Sequence, residues 1–133
     1  MITADHFVVC EPDETVSTAI TKMVKAKIGS ILIKELDTVI GIVTNIDILE
    51  IIDSKATTGL EVKLKDIMSD KLITVSPSDQ LNTALLTMEE KKVHHLLVEE
   101  DKKIVGFISS FDLIREKALD TKAFPWIRAR PYY

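Results

Sequence analysis

The sequence predicts an α+β fold made of two β-α-β-β-α repeats related by a pseudo-twofold axis. Two observations carry this expectation. First, residues 11–51 lie over residues 76–116 without a gap at an offset of 65, and self-similarity at a fixed offset marks a duplicated supersecondary unit. Identical pairs include Pro12/Pro77, Thr18/Thr83, Ala19/Ala84, Met23/Met88, Lys27/Lys92, Glu35/Glu100, Gly41/Gly106 and Asp47/Asp112. Second, the apolar register keeps step through Val16/Leu81, Ile20/Leu85, Ile28/Val93, Ile31/Leu96, Leu32/Leu97, Ile33/Val98, Val39/Ile104, Ile42/Phe107 and Val43/Ile108.

Each copy reads the same way. A short apolar stretch, Phe7-Val8-Val9 or Leu72-Ile73-Thr74-Val75, predicts a strand. Pro12 or Pro77 is then expected to open a helix, because the first helical turn needs no N–H donor. Val16, Ala19, Ile20, Met23 and Val24 come next at helical spacing, as do Leu81, Ala84, Leu85 and Met88. Two β-rich runs succeed them, Ser30–Ile33 and Val39–Val43, joined by the polar turn Leu36-Asp37-Thr38. The second copy repeats them as His95–Val98 and Ile104–Ile108 around Asp101-Lys102-Lys103. These strands are apolar on consecutive positions, so both faces are expected to be buried. A further helix is expected to start near Thr44 and near Ser109.

The repeats set the expected organisation. The first copy spans 1–53, a linker 54–61, the second copy 62–118 and an aromatic tail 119–133. The linker centres on Ser54-Lys55-Ala56-Thr57-Thr58-Gly59, and Val62–Met68 leads into the second copy. The first copy has almost no equivalent of that lead-in, since Met1 falls opposite Asp66, so either the protein begins there or the chain is a piece of something longer. With 133 residues, 46% apolar and 29% charged, the chain can bury a core without staples.

Composition excludes several functions. Seventeen Lys and Arg against 21 Asp and Glu leave a net charge of −4, which disfavours a general nucleic-acid binder. Cys10 is the only cysteine, ruling out an intramolecular disulfide or a thiolate metal cluster. No apolar stretch approaches the about 20 residues a membrane helix needs. The N-terminus has no basic segment leading into an apolar one. The expectation is a soluble cytoplasmic domain.

The sharpest motifs are Gly41-Ile42-Val43-Thr44-Asn45-Ile46-Asp47 and Gly106-Phe107-Ile108-Ser109-Ser110-Phe111-Asp112. One reading is structural, since a Ser or Thr followed three residues later by an acid approximates a capping box. The other is a ligand clamp. A helix N-terminus suits a phosphate, and the Thr44 or Ser109 hydroxyl adds a hydrogen bond. Asp47 and Asp112 would repel a phosphate, so they fit as acceptors for neighbouring sugar hydroxyls.

These paired motifs, each closing a β-α-β-β-α unit that begins at a proline, resemble the cystathionine-beta-synthase (CBS) domain, and two in tandem resemble a CBS pair, or Bateman module. Val62-Lys63-Leu64-Lys65-Asp66-Ile67-Met68 also resembles the family's V-x-D-I-M lead-in. The resemblance covers about residues 1–118. It implies a regulatory, non-catalytic module binding adenosine-containing ligands (AMP, ADP, ATP, in some members S-adenosylmethionine or NAD) in clefts between the repeats, with no separate cofactor. It assigns ribose hydroxyls to Asp47 and Asp112, ribose or phosphate to Thr44 and Ser109, and the adenine to Val9-Cys10 and Thr74-Val75. Family members often place basic residues ahead of the third strand. Here the second copy has His94 and His95, with Arg115 one turn into the final helix, whereas the first copy has Gly29, Ser30 and Glu50. The site drawing on His94, His95 and Arg115 is therefore expected to carry the phosphate-dependent affinity, and the other to be weak or empty.

Rival chemistries find little support. Adjacent strand residues point to opposite faces, so His94 and His95 cannot chelate one ion simply. There is no G-x-S-x-G, no S-x-x-K and no glycine-rich phosphate loop, so no enzyme is expected. A dimerising scaffold with vestigial sites remains the alternative. The tail at 124–133 holds Phe124, Trp126, Tyr132 and Tyr133, four of the chain's seven aromatics. It is expected to fold back over its own domain or dock on the mate within a homodimer, with an external effector as the alternative, since Trp, Tyr and Arg anchor interfaces.

Overall fold

A computed structural model describes residues Ile2–Thr3 and 7–110. In chain order the elements are β1 (Ile2–Thr3), β2 (Val9–Cys10), α1 (Val16–Ala26), β3 (Ser30–Glu35), β4 (Thr38–Thr44), α2 (Asn45–Lys55), β5 (Thr74–Val75), α3 (Leu81–Lys91), β6 (His95–Glu100) and β7 (Lys103–Ser109). Short 3₁₀ segments cover Ala56–Glu61 and Leu64–Asp66. The final helix expected near Ser109, and the tail 119–133, lie outside the described residues, as do Asp112 and Arg115.

Pro12 and Pro77 do not open the helices. Each occupies the second position of a turn, closed by Glu14 N–H to Glu11 O at 3.1 Å and by Asp79 N–H to Ser76 O at 3.0 Å. Proline's fixed φ suits that position. The carboxylates of Glu14 and Asp79 then accept the N–H of Glu11 and Ser76, at 2.5 and 2.9 Å. These turns use up the residues that would have formed a first helical turn. Helix α1 starts after Thr15, whose hydroxyl accepts from the Thr18 N–H at 3.3 Å. Helix α3 starts after Gln80, whose side chain makes no capping bond. Both helices end on a left-handed lysine, Lys27 at φ 56° and Lys92 at φ 55°.

Contacts divide the chain into two units, one of residues 7–72 and one of residues 73 onward joined by the N-terminal strand. In the first unit β2 runs parallel to β3, and β3 antiparallel to β4. One face of this sheet presents Ile31, Ile33 and Val43 to Val16, Ala19 and Met23 of α1, all 7% exposed or less. In the second unit β5 is parallel to β6 and β6 antiparallel to β7, and Leu96 and Ile108 pack with Ala84 and Met88 of α3. The central runs are buried on both faces, Ile31-Leu32-Ile33 and Leu96-Leu97-Val98 all being 4% exposed or less. Both hairpins carry a register shift at the same place, between Ile33 and Lys34 and between Val98 and Glu99.

The segment between the repeats is ordered differently from a simple linker. Helix α2 continues to Lys55, and the adjoining 3₁₀ turn buries Gly59 against the α2 backbone. Val62–Ser69 then packs on the first unit: Val16 N–H reaches Val62 O at 2.9 Å, Leu64 N–H reaches Glu14 O at 2.9 Å, and Leu64 is fully buried. Ser69 pairs with Ile42 along the outer side of β4. In the second unit β1 lies in the corresponding place, antiparallel to β7 through Ile2 with Phe107 and Thr3 with Gly106.

Candidate functional site

In an antiparallel or parallel pair, residues opposite one another share a face, and alternate residues along a strand return to it. The register therefore sorts the candidate residues. In the first unit Val9, Ser30, Leu32, Ile42 and Thr44 stand on the face turned away from α1. In the second, Thr74, His95, Leu97, Phe107 and Ser109 form the matching set. Cys10 and Val75 stand on the other face. Cys10 is 2% exposed within the core, and burial, with the charge of Glu14 second, pushes its thiol above the ordinary range. Its side chain is a packing group, which leaves only its main chain for a ligand.

The strand-to-helix junction of the first unit takes the arrangement of a capping box. Thr44 caps α2; its N–H donates to Asp47 Oδ2 at 2.8 Å, and its hydroxyl donates to the same oxygen at 3.2 Å. Asp47 N–H returns to Thr44 Oγ1 at 3.4 Å. Asn45 N–H is taken by Gly29 O at 2.8 Å, and Ser110 N–H by His94 O at 2.8 Å in the second unit. Thr44 and Asp47 are both half-buried. A hydroxyl and a carboxylate thus sit side by side at the positive end of an 11-residue helix, and Asp47 Oδ1 makes no hydrogen bond among the described residues.

The second unit differs at the two positions that matter. Where the first has Ser30 and Ile42, it has His95 and Phe107, whose rings stack at 5.0 Å with 14° between planes. Their contact is diagonal across the β6–β7 pair, since His95 opposes Ser109 and Leu97 opposes Phe107. His94 is not on this side. It is exposed and lines a groove beside α3 with Leu85, Met88 and Val93. Of the three bases expected to act together, His95 faces one way and His94 the other; Arg115 lies outside the described residues.

Two neighbours of the candidate residues were not legible as such in the sequence. Phe107 reads as a core residue until the register places it under His95. Lys22, which nothing in the sequence singled out, donates from Nζ to Val9 O at 2.9 Å and lies 3.6 Å from Glu14. It puts a cation beside the main chain assigned to the adenine in the first copy. Among the described residues no three His, Cys, Asp or Glu side chains converge as metal ligands, and no helix is long and apolar enough to cross a membrane.

Comparison with known proteins gives one family. The profile of the CBS domain matches twice, over residues 1–54 and 64–119. Among curated proteins, the chain is 31% identical over 111 residues to a mitochondrial CBS domain-containing protein of Arabidopsis thaliana, CBSX3, covering 80% of this chain and 54% of the relative. The chain thus spans about half the length of that relative. Among solved structures, CBSX2 in complex with AMP matches with a TM-score of 0.73 at 23% identity, covering 92% of this chain and 94% of that one. The CBS domain pair of protein MJ0100, in complex with 5′-methylthioadenosine and S-adenosyl-L-methionine, matches with a TM-score of 0.75 at 19% identity, covering 90% and 94%.

Proposed function

The chain belongs to the CBS-domain family, and from that premise we propose that it is a regulatory, non-catalytic module that binds an adenosine-containing ligand and works as a cytoplasmic homodimer. The observation that carries this reading is the Thr44–Asp47 pair at the start of α2, on the same side of the sheet as Val9 and Ser30. The helix end attracts a phosphate, the Thr44 hydroxyl adds a donor when it turns from Asp47 Oδ2, and the Asp47 carboxylate holds ribose hydroxyls through Oδ1. Val9 and the main chain of Cys10 flank the base. The second site uses Ser109, Asp112, Thr74 and the main chain of Val75, with His95 and Arg115 toward the phosphates. Two proteins of the same fold hold ligands of this class, AMP in one and methylthioadenosine with S-adenosylmethionine in the other. Ligand shifts the arrangement of the repeats or of the dimer by as much as its affinities for the two arrangements differ.

The test is calorimetric titration of the purified protein with AMP, ADP, ATP, S-adenosylmethionine and NADH, beside Asp47→Ala and Asp112→Ala. Heat is read rather than melting temperature because Asp47→Ala also removes half a capping box, at about 1 kcal/mol. Saturable binding of one adenosyl compound, lost in one variant that keeps its fold, is the expected result. A flat panel with folded protein overturns the reading. One observation favours a second reading, a dimerising scaffold with vestigial sites: the capping hydrogen bonds already account for both Thr44 and Asp47. A flat panel from a folded dimer is what that reading expects.

A further inference from the structure

At the outer edge of its sheet the first unit carries a lysine where the second carries a threonine. β2 is the outer strand of the order β2-β3-β4. Leu32 N–H takes Val8 O at 3.1 Å, and successive carbonyls of a strand turn to opposite sides, so Val9 O is aimed at the open edge. Lys22 reaches it from α1, Nζ to Val9 O at 2.9 Å. The same ammonium stands 3.6 Å from Glu14 Oε1, and the other oxygen of Glu14 is fixed by Glu11 N–H. Held by two anchors and 39% exposed, the ammonium keeps a further N–H for a ligand.

The second unit repeats the strand but not the cation. Leu97 N–H takes Ile73 O at 2.9 Å, which aims Thr74 O, the counterpart of Val9 O, at the edge of β5. At the offset of 65, Asp79 replaces Glu14 and Thr87 replaces Lys22. Asp79 accepts the Ser76 N–H, as Glu14 accepts that of Glu11. The Thr87 hydroxyl turns back to Thr83 O at 2.8 Å within its own helix, so Thr74 O stays an acceptor.

Val9 shares a row across the sheet with Leu32 and Ile42, two interstrand spacings, about 10 Å, from the strand that ends at Thr44. A nucleoside whose ribose lies on Asp47 spans a distance of that order, which brings the edge of its base to Val9 O and Lys22. Purines differ at that edge. A 6-aminopurine presents an amine donor beside the N7 acceptor, whereas a 6-oxopurine presents two acceptors, O6 and N7, the pair that a lysine ammonium reads.

We propose that Lys22 determines base specificity in the first unit: by occupying Val9 O and offering N–H groups in its place, it selects a 6-oxopurine nucleotide, guanine or hypoxanthine, while Thr74 O leaves the second unit to adenine. The inference rests on the nucleotide-binding reading above and narrows the base at one of its two sites.

The test is calorimetric titration with AMP, GMP and IMP of the full chain carrying Asp112→Ala, so that the first unit is the site read; adding Asp47→Ala should abolish the signal. GMP and IMP are expected to bind about tenfold more tightly than AMP, the worth of one well-placed base contact. Lys22→Met should reverse that order by freeing Val9 O for the exocyclic amine, and Lys22→Arg should preserve it. Lys22→Thr, the residue of the second copy, gives the same reading should Lys22→Met fail to fold. AMP preferred with Lys22 in place, or an order that neither Lys22→Met nor Lys22→Thr moves, overturns the proposal and makes Lys22 a brace for β2. Binding of none of the three nucleotides by folded protein overturns the nucleotide reading of the first unit itself, and the proposal with it.

Discussion

Replacing Gly41 by alanine should destabilise the protein through one contact. A Cβ at position 41 would collide with Sδ of Met68 and lie 2.9 Å from its Cγ and 3.2 Å from its Cβ. Met68 cannot retreat with its backbone, because Ser69 is locked to Ile42 by Ser69 N–H to Ile42 O at 2.9 Å and Ile42 N–H to Ser69 O at 3.0 Å. Its side chain must swing instead. Overpacking costs about 1–3 kcal/mol, and three soft torsions keep methionine toward the low end. The expected loss is about 1–2 kcal/mol, or roughly 3–10 °C in Tm for a domain of this size. Urea denaturation of Gly41→Ala, Met68→Ala and the double variant measures it. In the double variant much of the clash is gone, so the two losses should fall short of additivity by about 1 kcal/mol. A neutral Gly41→Ala, or strictly additive losses, would refute the argument that this glycine exists to admit Met68.

Leu36 sits at the tip of the β3–β4 hairpin, 96% exposed and at φ 56°, a conformation that costs a side-chain-bearing residue about 1–2 kcal/mol. Leu36→Gly should therefore raise stability by about 0.5–1 kcal/mol, less than the full strain because glycine loses more freedom on folding; an unchanged or lower urea midpoint would count against it. Cys10, 2% exposed and with its thiol raised above the ordinary range chiefly by burial, should resist a water-soluble maleimide in native buffer and react on addition of urea. Because the folded value is the higher one, the stability this thiol contributes is complete below the ordinary thiol pKa and is lost as pH rises through the raised value. Asp13 is held below the ordinary carboxylate range, first by its hydrogen bond to Lys65 and then by the charges of Lys65 and Lys63, 3.0 and 3.6 Å away. That contribution is present above about pH 4 and lost as pH falls through the lowered value, so Asp13→Asn should flatten the acid limb of the stability profile, and added salt should shrink the difference.

Much of this protein is written locally. The duplication, the buried strand pairs and the cap at Thr44 are legible from residue type and spacing, because period and capping chemistry act within a few residues of the chain. That locality also explains the misplaced helix starts: proline at a first helical position and proline at the second position of a turn look alike in sequence. What separates them is the pair of carboxylates, Glu14 and Asp79, that bind back to Glu11 and Ser76.

The candidate site divides along the same line. Thr44 and Asp47 were legible because both their capping and their ligand chemistry depend on a three-residue spacing. The stacking of His95 on Phe107, the departure of His94 to the opposite side and the arrival of Lys22 at Val9 O depend on register between strands and on the rotation of α1 against β2. The allegiance of the segment between the repeats is of the same kind. By sequence Val62–Met68 leads into the second copy, but Leu64 finds its burial, and Met68 its glycine, on the first. Apolar spacing along a chain says that a side chain will be buried; which surface buries it is decided by long-range packing.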